Sequence, residues 1–317
     1  MKRFTLLVLA ASILLCGCGL NVSRGDNVTD STNDVTVTEP SVGTDAADTS
    51  ANAYEVNDDV PEEELTPIYD TTAVLDAYRS GDPSPLSEMD KVIYDGAISA
   101  IAEFYRDDMT EAEIVTAAHD WIVENITYDE AALLAIPKKT PDTENPYGVF
   151  TIRQGICMGY TTTFQLFMDM LGVNSQIVRG TASDGLIWEE HAWNLVEIDG
   201  KYYHVDTTWD DFVPDEVGRP AFHMYLLVPD YVMECLHSWD RDNTPKAESD
   251  DLIYYKTHGL WAENRSESAA ILDAAAAAGQ WYCEIMTPDE NALSYRHVMQ
   301  YWVNDFTNYT VTIYWLK

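Results

Sequence analysis

A cysteine at the start of a predicted helix is the residue whose type and position most clearly could do chemistry. Cys157 stands between Gly155 and Gly159 and precedes a helical pattern that stops at Gly172. The unpaired amides and the dipole of a helix N-terminus favour an anion, so we expect this thiol to react as a thiolate. The flanking glycines would let a substrate backbone approach closely. Taken alone, a cysteine beside a helix is more often a small core residue.

A histidine and an aspartate on a predicted hairpin supply possible partners for this thiol. The dipeptide at 199–200 (Asp-Gly), set between two alternating segments, predicts a two-residue turn. Counted back from Ile198 opposite Lys201, the ladder contains the pairs Leu195–His204, Trp193–Asp206 and His191–Thr208. His191 and Asp206 then share one face as diagonal neighbours, roughly 7–8 Å apart between backbones and within reach of a side-chain hydrogen bond. A slip of one residue would separate them onto opposite faces.

Other interpretations of these residues remain open at this point. His204 lies on the same predicted face and is a rival to His191, although it is nearer the turn. Asp206 could simply cap the end of a strand. A zinc site formed by Cys157, His191 and Asp206 is disfavoured, because catalytic zinc prefers several histidine ligands. Together, a thiol at a helix start and an adjacent histidine and aspartate form the arrangement that nucleophilic cysteine catalysis requires.

Three segments around these residues resemble the motifs of a known superfamily. They are residues 155–160 (Gly-Ile-Cys-Met-Gly-Tyr), 191–194 (His-Ala-Trp-Asn) and 205–210 (Val-Asp-Thr-Thr-Trp-Asp). In order and spacing they resemble the bacterial transglutaminase-like superfamily, and the likeness covers about 112–239, with 222–227 and 237–239 as its trailing part. The resemblance implies an α+β, papain-like core in which N-terminal helices and the cysteine helix pack on an antiparallel sheet. It is less specific for the reaction, since the superfamily includes transamidases, peptidases, deamidases and inactive members.

The resemblance also implies roles for individual residues. Cys157 would attack a glutamine carboxamide or a peptide bond and form a thioester, His191 would move the proton, and Asp206 would orient the imidazole. The oxyanion would be met by the Cys157 amide and one further donor, for which Gln154 and Tyr128 are candidates. An enzyme is therefore the leading interpretation. The alternative is an inactive binding or scaffold protein built on the same fold.

Two further groups of residues near the motifs have weaker functional signals. The candidates for walls of a substrate cleft are Trp193, Tyr160 and Trp209. The acidic cluster after the third motif consists of Asp210, Asp211, Asp215 and Glu216. Such a cluster could hold calcium, but its spacing does not match an EF-hand loop, and runs of charge are usually solvated. We therefore predict neither a metal nor a cofactor.

The N-terminal residues predict where the protein is located. A basic start followed by an apolar run over 4–15 is typical of a secretory signal. The apolar run is too short to span a bilayer. The sequence at 15–18 (Leu-Cys-Gly-Cys) resembles a lipobox, and Cys18 fits as the lipidated residue because a small glycine precedes it. We expect an exported protein on the outer face of the cell membrane, anchored by a lipid on Cys18. An ordinary cleaved signal is the alternative.

The composition restricts the partners. The chain has 54 acidic and 18 basic residues and a formal net charge of −36. This charge argues against nucleic acid as a partner. We expect a peptide or protein substrate of the cell envelope, contact with the membrane only through the N-terminal lipid, and a monomer.

These features divide the chain into four segments. They are a signal peptide at 1–17, a lipidated cysteine with a disordered acidic tether at 18–65, a transglutaminase-like domain at 66–245 and a C-terminal α+β extension at 246–317. The tether is predicted from its acidic, aromatic-poor composition. Cys235 and Cys283 could form a disulfide, but two thiols are favoured.

Local patterns predict the elements of the two folded segments. In the first, we expect a helix at 86–105, a capping box at Thr110 and Glu113, and strands at 176–180, 191–198, 201–206 and 224–229. In the C-terminal extension, we expect strands at 252–255, 281–286 and 309–315 and helices at 268–278 and 289–304. The sequence does not decide whether this extension continues the first sheet or forms a separate unit.

Overall fold

The fold is described from a computed structural model. It describes residues 24–26, 67–131, 141–183, 187–211, 221–305 and 309–317. The predicted signal peptide, Cys18 and most of the predicted tether lie outside these residues. None of the helices in the described part of the chain is both long enough and apolar enough to cross a membrane.

Helices that precede the cysteine form one layer of the fold. They are Thr72–Ser80 (α1), Glu88–Phe104 (α2), Glu111–Asn125 (α3) and Pro146–Ile152 (α4). The predicted capping box is confirmed: the Thr110 hydroxyl accepts the Glu113 amide, and the Glu113 carboxylate accepts the Thr110 amide at 2.8 Å. Each interaction satisfies an amide that has no partner within the helix, which fixes where α3 begins.

The helix that carries Cys157 is the centre of the domain. It spans Cys157–Leu171 (α5) and ends at Gly172, whose left-handed φ of 78° suits a residue without a side chain. Its side chains are buried on nearly every face, including Phe164 and Phe167. A helix that is apolar all round must be enclosed. Accordingly, α5 lies between the N-terminal helices and the main sheet and shares one core with both.

The main sheet has five antiparallel strands. They are Asn174–Ser183 (β4), Trp188–Ile198 (β5), Lys201–Val205 (β6), Leu226–Val228 (β7) and His237–Trp239 (β8), in the order β7-β6-β5-β4-β8. A separate parallel pair joins Thr127–Tyr128 (β2) to Gln154–Gly155 (β3), directly before α5. A short helix, Asp230–Met233 (α6), connects β7 to β8. The predicted α+β class, with the cysteine helix packed on an antiparallel sheet, is confirmed.

The hairpin turn and most of its predicted register are also confirmed. Asp199 and Gly200 both have positive φ, 52° and 75°, as a two-residue type I′ turn requires. The ladder runs from Ile198–Lys201 through Leu195–His204 to Asn194–Val205. The predicted pairs Trp193–Asp206 and His191–Thr208 are wrong. The chain leaves the ladder at Asp206, whose amide donates to the Tyr225 carbonyl at 3.1 Å instead.

The two faces of the main sheet belong to different cores. Val196, Tyr203 and Val205 face α5 and the N-terminal helices. Trp193 and Leu195 face the other side, where residues of the C-terminal extension cover them. Both faces of β5 are therefore buried, so burial alone does not separate site residues from core residues.

The C-terminal extension contains a second sheet. Its strands are Tyr282–Thr287 (β9), Val298–Asp305 (β10) and Thr310–Leu316 (β11), and helix Arg265–Ala277 (α8) packs on it. The order is β1-β10-β11-β9, in which β1 is Arg24–Asp26. This sheet is separate from the main sheet but shares a core with it, which answers the question that the sequence left open. Cys235 and Cys283 are both thiols.

Three predictions outside the transglutaminase-like domain differ from the structure. The predicted helix at 289–304 is wrong: Glu290–Ala292 forms one 3-10 turn and the following residues form β10. The predicted strand at 252–255 is replaced by a short helix, Tyr254–Thr257 (α7). Within the predicted disordered tether, Arg24–Asp26 instead forms β1, with Arg24 opposite Trp302.

Candidate active site

The Cys157 thiol lies at the first residue of α5 and is partly exposed. Ile156 precedes it in an extended conformation, and its amide donates to the Thr143 carbonyl at 2.9 Å. Both flanking glycines allow close packing within the chain. A Cβ on Gly159 would lie 2.5 Å from the Thr143 carbonyl oxygen, and one on Gly155 would lie 3.1 Å from the Tyr160 ring. They bring the backbone close to the start of α5, which fixes the position of the thiol.

The His191 imidazole is buried between the thiol and a carboxylate. Its Nε2 lies 2.7 Å from Asp206 Oδ2, which leaves Nδ1 as the ring nitrogen able to accept a thiol proton. Burial alone would lower the pKa of His191, but the Asp206 charge and hydrogen bond, together with the nearby Cys157 side chain, raise it to about 10. The ring is therefore positioned to hold a proton in this site.

The Asp206 carboxylate is the centre of a dense hydrogen-bond network. Its Oδ1 accepts the amides of Thr208 at 3.0 Å and Trp209 at 3.1 Å, so it also caps the turn after β6. Burial would raise its pKa, but the charge and hydrogen bonds of His191 and His237 outweigh burial and hold the pKa well below its ordinary value. The carboxylate is therefore ionised and fixed in orientation.

His237 is a residue of this site that the sequence interpretation missed. Its Nε2 donates to Asp206 Oδ2 at 3.0 Å, and its ring packs against those of Trp209 and Tyr225 at centroid distances of 4.7 and 5.1 Å. Burial lowers the pKa of His237, so the ring is neutral and donates one hydrogen bond. It lies in the trailing segment at 237–239, whose resemblance to the superfamily was the available signal.

The two oxyanion candidates lie side by side in the short parallel pair before α5. Gln154 is opposite Thr127, and Tyr128 is opposite Gly155. Burial raises the pKa of Tyr128 well above its ordinary value, and the negative charges of Cys157 and Asp206 add to this effect. Tyr128 therefore keeps its hydroxyl proton, and it lies opposite Gly155, only two positions before Cys157.

Of the three predicted cleft residues, only Trp209 both contacts the His191 ring and is partly exposed. Its ring centroid is 6.0 Å from that of His191, and it is partly exposed. Trp193 is wrong as a cleft wall, because it is fully buried and donates to His204 Nδ1 at 3.0 Å. Tyr160 is wrong for the same reason: it is fully buried and its hydroxyl donates to Asp211.

Two alternatives from the sequence are also decided by contacts. His204 does not contact the thiol; its Nε2 bonds to Asp230 Oδ1 at 2.9 Å on the far side of Trp193. The expectation that the acidic cluster is solvated is wrong for Asp210 and Asp211, which are both buried. The other two members of that cluster lie outside the described residues.

Two groups of three residues in the described part of the chain bring potential metal-binding atoms within 4.8 Å of one another. One is His191, Asp206 and His237, and the other is His119, Asp120 and His223. In the first group, Asp206 already accepts four hydrogen bonds and all three residues are buried. This saturation and the contact of His191 with Cys157 suit proton transfer better than metal binding.

Comparison with known proteins agrees with this geometry. Residues 99–207 match the model of the Transglutaminase-like superfamily, a range that contains Cys157, His191 and Asp206. The chain therefore contains a transglutaminase-like domain.

Individual relatives are more distant. The human "Kyphoscoliosis peptidase" is 27% identical over 139 residues, a match that covers 41% of this chain and 20% of the relative. The mouse protein of the same name is 25% identical over 139 residues. A solved structure of "a TGase" is 20% identical with a TM-score of 0.33, and the match covers 45% of this chain and 38% of that one. The chain thus matches only about a fifth of the length of these curated relatives. The superfamily match supports an enzyme of the acyltransferase or peptidase kind.

Proposed function

We propose that this protein is an exported, lipid-anchored cysteine acyltransferase or hydrolase. It acts on glutamine carboxamides or peptide bonds of envelope peptides or proteins. The observation that carries the proposal is the buried His191–Asp206 hydrogen bond of 2.7 Å beside a partly exposed thiol at the start of α5. These are the nucleophile, base and orienting group that acyl transfer by cysteine requires.

The reaction proceeds in two steps, formation of a thioester on Cys157 and transfer of its acyl group to water or an amine. His191 takes the thiol proton, and the Cys157 sulfur attacks the carbonyl carbon to form a C–S bond. The C–N bond then breaks, and the imidazolium returns its proton to the departing amine or ammonia. In the second step His191 deprotonates water or an acceptor amine, which attacks the thioester and releases the thiolate. Asp206 keeps the ring oriented and stabilises its cation throughout.

The tetrahedral oxyanion needs donors that are already in place. The Cys157 amide at the helix start is one, and we assign the Tyr128 hydroxyl as the second. Its raised pKa, due first to burial, keeps it protonated beside the thiol. Loss of one such donor typically costs about 10²–10³-fold in kcat. Acyl transfer of this kind uses no cofactor.

The location is supported by the first eighteen residues. Replacing Cys18 with Ala should move the protein from the membrane fraction to the soluble fraction of cells that express it, whereas replacing Cys16 with Ala should not. Retention of Cys18→Ala in the membrane fraction would contradict lipid anchoring there. The net charge of −36 agrees with a peptide or protein partner rather than nucleic acid, and we expect a monomer.

The catalytic proposal is tested by the rate at which iodoacetamide labels Cys157 as a function of pH. The label is assigned by mass spectrometry, because Cys235 is also partly exposed. We expect rapid labelling below about pH 7 in the unmodified protein and a sharp decrease in His191→Ala. The control is His297→Ala, which removes an exposed histidine in the turn before β10 and should label like the unmodified protein.

A labelling rate that stays low until the pH approaches the ordinary thiol pKa of about 8.5 would contradict the enzyme proposal if it is the same with and without His191. The protein would then be a binding lipoprotein on an inactive transglutaminase-like fold. If labelling is fast, libraries of glutamine-containing and other peptides, supplied with and without an added amine, distinguish hydrolysis from transamidation.

A further inference from the structure

A second cluster of titratable side chains lies outside the acyl-transfer site. His119 and Asp120 come from α3, Asp210 follows β6, His223 precedes β7, and Glu284 lies on β9. The cluster therefore forms where the helical layer, the main sheet and the C-terminal sheet meet. Four of the five side chains are buried, and Asp120 is 34% exposed. The proposed reaction uses none of them.

Three atoms of this cluster converge. Asp120 Oδ1 lies 2.9 Å from His119 Nδ1 and 3.2 Å from His223 Nε2. The three atoms all lie within 4.8 Å of one another. Two imidazole nitrogens and one carboxylate oxygen at this spacing can all bind a single ion that lies between them.

A buried carboxylate holds the opposite nitrogen of each imidazole. His119 Nε2 is 3.0 Å from Asp210 Oδ2, and His223 Nδ1 is 3.0 Å from Glu284 Oε1. Both carboxylates are themselves fixed: the Tyr225 amide donates to Asp210 at 3.0 Å, and the Tyr255 hydroxyl donates to Glu284 at 2.6 Å. A carboxylate behind each histidine fixes the ring orientation and leaves the inner nitrogen as a lone-pair donor, which is the usual support of a metal-bound imidazole.

The net negative charge of the cluster also favours the binding of a cation. Three carboxylates surround two imidazoles, so with neutral rings the group carries three negative charges in a mostly buried place. Without a cation, protons must compensate. A divalent ion between the three inner atoms supplies the same compensation and lets both rings be neutral.

We propose that His119 Nδ1, Asp120 Oδ1 and His223 Nε2 bind a divalent transition-metal ion of the zinc class. Imidazole nitrogen with one carboxylate oxygen is a donor set that zinc accepts, and a set of three protein ligands leaves a coordination position open. This inference revises the expectation from the sequence that the protein binds no metal.

One of the three proposed ligands borders a cavity. Asp120 lines a pocket of about 810 Å³ whose walls include Glu124, Tyr254 and His258. The Tyr254 ring stacks on that of His223 at a centroid distance of 3.6 Å and shields its face. Access to the ion is therefore from the Asp120 side, and water or a small oxygen ligand from the cavity completes the coordination.

Equilibrium dialysis of the full chain against ZnCl₂ tests the site. A Cys157→Ser background prevents the catalytic thiol from competing for zinc. We expect one zinc ion per chain and an affinity at least about tenfold weaker in Asp120→Asn, which keeps the size and the hydrogen-bonding capacity of the side chain. The matched control is Glu124→Gln, which removes an acid from the same cavity wall and should bind zinc like the parent.

Two results would overturn the proposal: no zinc bound at this stoichiometry, or equal affinity in Asp120→Asn and its parent. Co²⁺ in place of zinc gives an independent readout. Nitrogen and oxygen ligands give visible d–d absorption alone, whereas a thiolate charge-transfer band would show that a cysteine binds the ion and would also overturn the assignment. Neither readout depends on Cys157, so failure here is distinguishable from failure of the acyl-transfer proposal.

Discussion

The Asp206 carboxylate links two histidines, and only one of them contacts the thiol. Replacing Asp206 with Asn keeps acceptors for the Thr208 and Trp209 amides but removes the charge that holds a proton on His191. We expect iodoacetamide labelling of Cys157 at pH 6 to slow at least about tenfold, because each pKa unit lost by the imidazole lowers the ratio of the thiolate–imidazolium pair to the neutral thiol–imidazole pair tenfold.

A second histidine–aspartate pair, whose histidine is also buried, provides a control. Asp230 accepts from His204 at 2.9 Å but does not belong to the network around Asp206. Asp230→Asn should therefore leave the labelling rate at pH 6 unchanged. Equal slowing in both variants would mean that a general loss of stability, rather than the charge beside His191, controls the reactivity of the thiol.

The sequence was sufficient to select the candidate catalytic residues, but it was not sufficient to tell which neighbouring side chains line a cleft and which are buried. Cys157, His191 and Asp206 could be selected because a helix start and a two-residue turn limit where these side chains lie. Trp193 and Tyr160 were assigned wrongly to a cleft, because both faces of β5 and nearly all faces of α5 are buried. The His119–His223 cluster could not be predicted, since the two histidines are far apart in the sequence and have no local spacing that relates them.

At the scale of elements, the position of the thiol depends on how closely α5 approaches the loop before α4. A Cβ at Gly159 would lie 2.5 Å from the Thr143 carbonyl oxygen, which also accepts the Ile156 amide. Gly159→Ala should therefore cost about 1–3 kcal/mol in the free energy of unfolding, the usual range for overpacking. It should also slow the labelling of Cys157, because the start of α5 must move. Urea unfolding and labelling kinetics measure the two effects.

A glycine elsewhere separates the two effects. Gly81 has a left-handed φ of 71°, and a Cβ there meets open space. Gly81→Ala should cost about 1–2 kcal/mol through backbone strain and leave the labelling of Cys157 unchanged. If Gly159→Ala labels as fast as the unmodified protein, the contact with Thr143 does not position the thiol.

The elements themselves were predictable where a specific local interaction fixes them. The capping box at Thr110 and the turn at 199–200 fixed α3 and the β5–β6 register. The prediction of a helix at 289–304 is wrong because it assigned a helical period to Val298, Tyr301, Trp302 and Val303, which are β-branched and aromatic residues that favour a strand. The predicted ladder beyond Val205 is wrong because the Asp206 amide donates its hydrogen bond to the carbonyl of Tyr225, a residue distant in sequence.

At the scale of the whole molecule, the proton on His191 makes stability depend on pH. The pKa of His191 is about 10 in the folded protein and about 6.5 in an unfolded chain, so between these values the folded state binds more protons. This contribution to stability is fully present below about pH 6.5 and is lost as the pH rises towards 10. The slope from one such group is at most about 1.4 kcal/mol per pH unit.

Denaturant unfolding at pH 6.5, 8 and 9.5, with a chelator present, measures this dependence. His191→Gln removes the titrating group, so its stability should fall less steeply over the same range. His223, whose pKa is also raised, is present in both proteins and cancels in the comparison. Parallel curves for the two proteins would contradict the assignment of a bound proton to His191.

The short strand β1 has a consequence for how the molecule stands on a bilayer. Arg24–Asp26 pairs with β10 at the edge of the C-terminal sheet. Five residues separate Cys18 from Arg24, and a chain of that length reaches roughly 20 Å when fully extended. With Cys18 anchored as we propose, the edge of the C-terminal sheet at β1 is held within roughly 20 Å of the lipid anchor.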